Sequence, residues 1–154
     1  MQAKFMRAAI RLAVTNAKDA GGPFGAVVVK DNRIVGRGQN SVYRRLDPSA
    51  HAEIMAIRDA CRRLGVYHLH GCELYTSCEP CPMCLAASYW ARIARIYHAA
   101  THQDAAAVGF DDAFMYAELA RPAGERQLPL LRLLGEEGQA PFAAWAANPN
   151  RIPY

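Results

Sequence analysis

The residues best suited to chemistry fall in two short stretches. One is His51-Ala52-Glu53 and the other is Pro80-Cys81-Pro82-Met83-Cys84. Imidazole and thiolate are zinc ligands, and a nearby carboxylate outside the ligand set can move protons. His51, Cys81 and Cys84 are therefore candidate metal ligands, with Glu53 as the acid–base group. Three protein ligands leave one tetrahedral position for water, the arrangement of a catalytic zinc site. Zinc lowers the pKa of such a water to about 7. The expected chemistry is hydrolysis, with Glu53 taking the water's proton and passing it to the substrate.

The spacing constrains where these residues sit. Cys81 and Cys84 are three apart, so on a helix they share one face. His51 and Glu53 are two apart, roughly 200° around a continuous helix. They can converge only where the chain is entering a helix. The pattern predicts a metal seated between two helix N-termini, where free N–H groups and the positive dipole end favour thiolates. Cys78 extends the cysteines to C-x-x-C-x-x-C, a spacing also used for iron–sulfur clusters, but no fourth cysteine follows suitably. A purely structural zinc would use the same ligand types; Glu53 beside the ligands argues for catalysis. Cys61 and Cys72 read as small buried hydrophobes.

The elements that must position these residues follow from periodicity. Residues 2–19 read as a helix with Phe5, Ala9, Leu12 and Ala13 on one face, stopped by Gly21-Gly22-Pro23. Phe24 to Lys30 and Arg33 to Gln39 read as strands of a hairpin turning at Asp31-Asn32. Arg44 to Ala50 reads as a loop. Helices are expected over 51–64, ended by Gly65, and over Cys81 to Ala91. Further strands are expected at Cys72–Ser77, Ile93–Ala100 and Leu128–Leu134, with helices over 112–120 and Pro141–Ala147. This alternation predicts one α/β domain over 1–154, with five strands in a mixed sheet between helices. Residues 121–141, rich in Pro, Gly and charge, read as a flexible connection to the tail.

Composition narrows the function classes. The 154 residues carry a formal net charge of +4. Residues 1–102 hold 14 Lys/Arg against 7 Asp/Glu, while residues 103–154 hold 4 Arg against 7 Asp/Glu. An acidic C-terminal third and only short basic pairs (Arg44-Arg45, Arg62-Arg63) argue against a nucleic-acid partner. No apolar run has the length of a membrane span, and no secretory signal is expected. Five cysteines, three of them within seven positions, suit a metal site in a reducing cytoplasm better than a disulfide scaffold.

H-x-E…P-C-x-x-C is the pattern of zinc deaminases. Several stretches share in the likeness: Gly22-Pro23-Phe24-Gly25-Ala26, Gly38-Gln39-Asn40, Tyr75 through Cys84, Tyr89-Trp90-Ala91 and Gly109-Phe110-Asp111-Asp112. On these the chain resembles the cytidine and deoxycytidylate deaminase superfamily over nearly its whole length. Within it, the chain is similar to the small bacterial guanine deaminases.

The resemblance implies a cytidine-deaminase-like three-layer α/β/α sandwich, one Zn2+ per subunit, and conversion of guanine to xanthine and ammonia. It implies that Asn40 hydrogen-bonds the base, that Phe24 and Trp90 wall it with Ala52 also in contact, and that Asp112 is a second pocket acid. Each has a plainer role: Asn40 as a turn residue, Phe24 and Trp90 as core, Asp112 as a helix cap. It further implies a homodimer exchanging its 121–154 segments, with Tyr154 closing a pocket. Rival readings are a tRNA adenosine deaminase, a cytosine or nucleoside deaminase, an enzyme for another aminated heterocycle such as an aminotriazine, and a zinc-stabilised binding module without activity.

Overall fold

The computed structural model describes residues 2–110 and 112–153. The chain divides into two compact units, Met1–Tyr116 and Ala117–Tyr154. In the first, α1 (Ala3–Lys18) buries Phe5, Ala9, Ala13 and Asn16, a stripe at helical spacing. The hairpin follows as β1 (Gly25–Lys30) and β2 (Arg33–Gln39). Asp31 and Asn32 both take positive φ, 47° and 60°, as a two-residue turn matched to strand twist requires. A short helix, α2 (Val42–Arg45), occupies part of the expected loop. Next come α3 (Ala52–Leu64), β3 (Glu73–Cys78), α4 (Pro82–Trp90), β4 (Arg95–Ala100) and α5 (His102–Ala106). The α6 helix (Ala113–Ala120) and α7 (Ala140–Ala147) match the two expected C-terminal helices closely.

The sheet order is β2-β1-β3-β4. β1 pairs antiparallel with both β2 and β3, while β3 and β4 run parallel. β1 alternates between two cores. Ala26 and Val28 pack with Ala52, Ala56 and Ala60 of α3, and Val27 and Val29 pack with Phe5 of α1 and with Tyr75. Helices therefore cover both faces, which is why β1 reads as a continuous apolar run. The α3 side is close-packed because β2 presents glycines to the helix: a Cβ at Gly38 would overlap the Ala52 carbonyl oxygen. Cys72 lies in this core and Cys61 packs against it, as the sequence suggests.

One expected strand is absent. Leu128–Leu134 forms no strand, and the described sheet has four strands rather than five. Pro129 has no N–H to donate to a ladder. The leucines come as Leu130-Leu131 and Leu133-Leu134 rather than in alternation, and Leu134 takes a positive φ of 52°. Leu131 and Leu133 are 88% and 85% exposed, so this segment finds no core in its own chain. Its unit contains two short 3-10 turns, Ala123–Glu125 and Glu137–Gln139, besides α7. No helix among the described residues is long and apolar enough to cross a membrane.

Gly38→Ala tests the close helix–strand contact. Overpacking at a site that cannot yield costs about 1–3 kcal/mol or more. Chemical denaturation should show at least that loss with an unchanged m-value.

Candidate active site

The ligand residues stand at helix starts for a local reason. His51 is the N-cap of α3 with extended backbone, φ −68° and ψ 159°. Cys81 is the N-cap of α4, with φ −66° and ψ 167°, ahead of Pro82 in the first turn. Proline suits that position, since its missing N–H has no intrahelical partner there. Cys84 lies one turn on. Among the described residues, His51, Cys81 and Cys84 form the one group whose ligand atoms converge, all within 4.8 Å of one another.

His51 Nδ1 lies 3.6 Å from Cys81 Sγ and 3.5 Å from Cys84 Sγ. Zinc–sulfur and zinc–nitrogen bonds of about 2.3 and 2.0 Å at a tetrahedral angle set such atoms about 3.6 Å apart. The donor set thus fits zinc in both chemistry and spacing.

The protonation of this group is coupled. The Cys84 thiol hydrogen-bonds the Cys81 sulfur and, with help from His51, pulls the Cys81 pKa down to about 4. Cys84 is correspondingly raised, by that hydrogen bond and by burial. His51 is raised by its contact with Cys81. Cys78 stands apart: its thiol donates to the Thr101 carbonyl at 3.3 Å, and burial pushes its pKa up to about 11. It does not extend the ligand set, and the seven-position cysteine run does not fold as a cluster motif.

Glu53, in the first turn of α3, is 5% exposed. Thr76 Oγ1, fully buried on β3, donates to Glu53 Oε1 at 2.8 Å. Burial raises the Glu53 pKa, the first cause being desolvation. Such a carboxyl holds a proton more readily than one in water, as an acid–base group should.

A cavity of about 470 Å³ opens over these residues. His51, Glu53 and Cys81 line it together with Phe24, Asn40 and Asp112, three of the sequence candidates. Asn40 stands at the end of β2. Asp112 directly precedes α6, and its carbonyl accepts from the N–H groups of Met115 and Tyr116. Two candidates are placed elsewhere. Ala52 is buried in the core beneath α3, because its Cβ points at the sheet. Trp90 ends α4, 64% exposed, and does not line this cavity. Tyr154 lies outside the described residues.

The cavity also holds residues the sequence reading passed over. Phe110 meets Phe24 edge-to-face, with centroids 4.9 Å apart. Glu79 Oε2 accepts from His102 Nδ1 at 2.7 Å and from the His102 backbone N–H at 3.2 Å, which lowers its pKa. Val42 and Tyr43 of α2 stand among the lining residues. A signal for α5 was available, since Thr101 and Asp104 form a capping box.

This arrangement has known relatives. Residues 1–100 match the family described as the cytidine and deoxycytidylate deaminase zinc-binding region. The chain belongs to that family. It is 51% identical to a guanine deaminase of Bacillus subtilis (strain 168) over 151 residues, covering 97% of each chain. A crystal structure of guanine deaminase from Bacillus subtilis superposes with a TM-score of 0.96 at 50% identity, covering 100% of this chain and 99% of that one. A guanine deaminase from Nitrosomonas europaea superposes at a TM-score of 0.67 and 32% identity, over 78% of this chain and 66% of the other. A tRNA-specific adenosine deaminase of Aquifex aeolicus is 43% identical over 96 residues, 62% of this chain and 64% of its own.

The coupled protons give a direct check. At pH 7 the raised Cys84 is a thiol and Cys81 is already ionised, so zinc entering the metal-free protein should release at least one proton. Calorimetry in buffers of different ionisation enthalpy counts it. Zinc uptake without proton release would contradict the ligand set.

Proposed function

We propose that this protein catalyses the zinc-dependent hydrolytic deamination of guanine to xanthine and ammonia. The observation that carries the reading is one cavity, roomy enough for a purine base, that brings His51 and Cys81 of the candidate ligand set together with the buried Glu53 carboxyl and Asn40. The near full-length likeness to the Bacillus subtilis guanine deaminase, in sequence and in structure, supports the base. One zinc ion per subunit, held by His51, Cys81 and Cys84, would supply Lewis-acid activation of a water molecule.

The remaining work falls to the chain. Glu53, held by Thr76, takes a proton from the attacking water and delivers it to a ring nitrogen. The water oxygen bonds to C2, the C2–amine bond breaks, and a proton goes to the departing amine as ammonia leaves. Asn40 hydrogen-bonds the base from the end of β2, and Phe24, braced by Phe110, walls it. Asp112 faces the same cavity as a second acid that reads the donor edge of the purine or relays a proton. The role is one of purine catabolism or salvage in the cytoplasm, where the five free cysteines stay reduced.

We further read residues 1–154 as one deaminase domain whose 121–154 segment exchanges in a homodimer, with Tyr154 near a pocket. The exposed leucines at 128–134, with Phe142 and Trp145 also exposed, support an apolar surface that a second copy covers.

Ammonia release from guanine, adenine, cytosine, cytidine and a tRNA anticodon stem, with and without a chelator, tests the substrate. Guanine should be consumed fastest, and turnover should stop with chelator. Activity on the RNA alone would transfer the assignment to tRNA. Glu53→Gln should keep its zinc, read by elemental analysis, and lose about 10²–10⁴-fold in kcat, the range of general acid–base catalysis. Full retention of function with that substitution would point to a non-catalytic zinc module. Light scattering should give a dimer, and a chain ending at residue 120 should not dimerise.

A further inference from the structure

Asn16 lies on α1, outside every motif above, and is 1% exposed. Its Nδ2 donates to the Gly22 carbonyl at 2.7 Å and to the Asn40 carbonyl at 2.8 Å. Both amide protons are therefore used, and both acceptors belong to residues that line the cavity. Gly22 leads into Pro23 and Phe24, whereas Asn40 directly follows β2. The Asn16 main-chain carbonyl accepts from Gly21 at 2.9 Å, which ties down the same crossing. Its Oδ1 is buried with no hydrogen-bond partner among the described residues. A buried acceptor left unpaired costs free energy that a leucine would avoid. The amide is a poor choice for stability alone and a good one for fixing the separation of two carbonyls.

Two glycines make room for this bridge. A Cβ at Gly21 would overlap the Asn16 amide, and one at Gly22 would stand 3.0 Å from Cγ and Oδ1 of Asn40. The Asn40 carboxamide is thus bounded by Gly22, while its backbone is held by Asn16 and by the bond from its N–H to Phe24 O at 3.1 Å.

We propose that Asn16 is a positioning residue for the substrate: it holds the Asn40 backbone against the Gly22–Phe24 segment and so sets where the Asn40 amide meets the base. The proposal rests on the reading of Asn40 as a base contact. It requires Asn16 to act through Asn40, so the two should not be additive.

The test is a double-mutant cycle on the zinc-loaded enzyme with guanine, read as KM against kcat. Asn40→Ala should raise KM about tenfold or more, as loss of a ground-state contact does. Asn16→Ala should also raise KM about tenfold, with kcat within about threefold and zinc content unchanged. The double variant should be no worse than Asn40→Ala alone. Gly22→Ala pushes on the Asn40 amide from the other side without touching a core hydrogen bond. It should raise KM in the native background but not beside Asn40→Ala, and it serves if Asn16→Ala does not fold.

Additive effects, or an Asn16→Ala that lowers only the melting temperature, would overturn the positioning role while leaving Asn40 in place. So would an unchanged KM in Gly22→Ala. An unchanged KM in Asn40→Ala overturns the base contact itself and the role of Asn16 with it.

Discussion

The extended backbone at His51 and at Cys81 is the constraint on which the site depends. Each residue is the last non-helical one before a helix, so each side chain turns away from the helix wall and toward the opposite N-terminus. Backbone N–H groups of both first turns serve the site: that of Glu53 bonds its own carboxylate and that of Cys84 bonds the Cys81 sulfur. A thiolate at Cys81, a thiol at Cys84, a buried carboxyl and an imidazole are brought together there. Shifting either helix by a residue would break this geometry, because Glu53 and His51 diverge in a continuous helix.

The sheet exists, functionally, to hold those two helix starts in register. Gly38 lets α3 lie close on β2, and β3 leads through Cys78 directly into the Cys81 turn. Thr76, on the same strand, reaches Glu53 from below. The candidate metal ligands, Glu53 and its Thr76 partner therefore hang on two helices, α3 and α4, and on β2 and β3, which flank β1 in the sheet. The Phe24 wall and Asn40 come from the far side of the same hairpin.

What could be read in the sequence divides along a physical line. The convergence of His51, Cys81 and Cys84 was legible because helix periodicity and metal geometry both restrict spacing. β1 and α3 were legible because their apolar patterns have one dominant period. The contributions of Glu79, Phe110 and Thr76 were not, because they depend on which strand lies beside which: Glu79 meets His102 only through the parallel β3–β4 pairing. The exposed position of Trp90 follows from where α4 ends, which sequence bounds only loosely. Leu128–Leu134 misled for a different reason. Its leucines are exposed, so the hydrophobicity of this run marks an apolar surface and not a strand.

The distance along the chain between His51 and Cys81 carries a consequence for assembly. Thirty residues separate them, and β1 must pair with β3 before they meet. A nascent chain with an unfinished sheet offers an ion only the Cys81–Cys84 pair. Full affinity arises once loop closure has been achieved by the sheet and its helices. A metal bound at this site would therefore arrive late, in chains whose sheet has formed, and would hold them in that state against reopening.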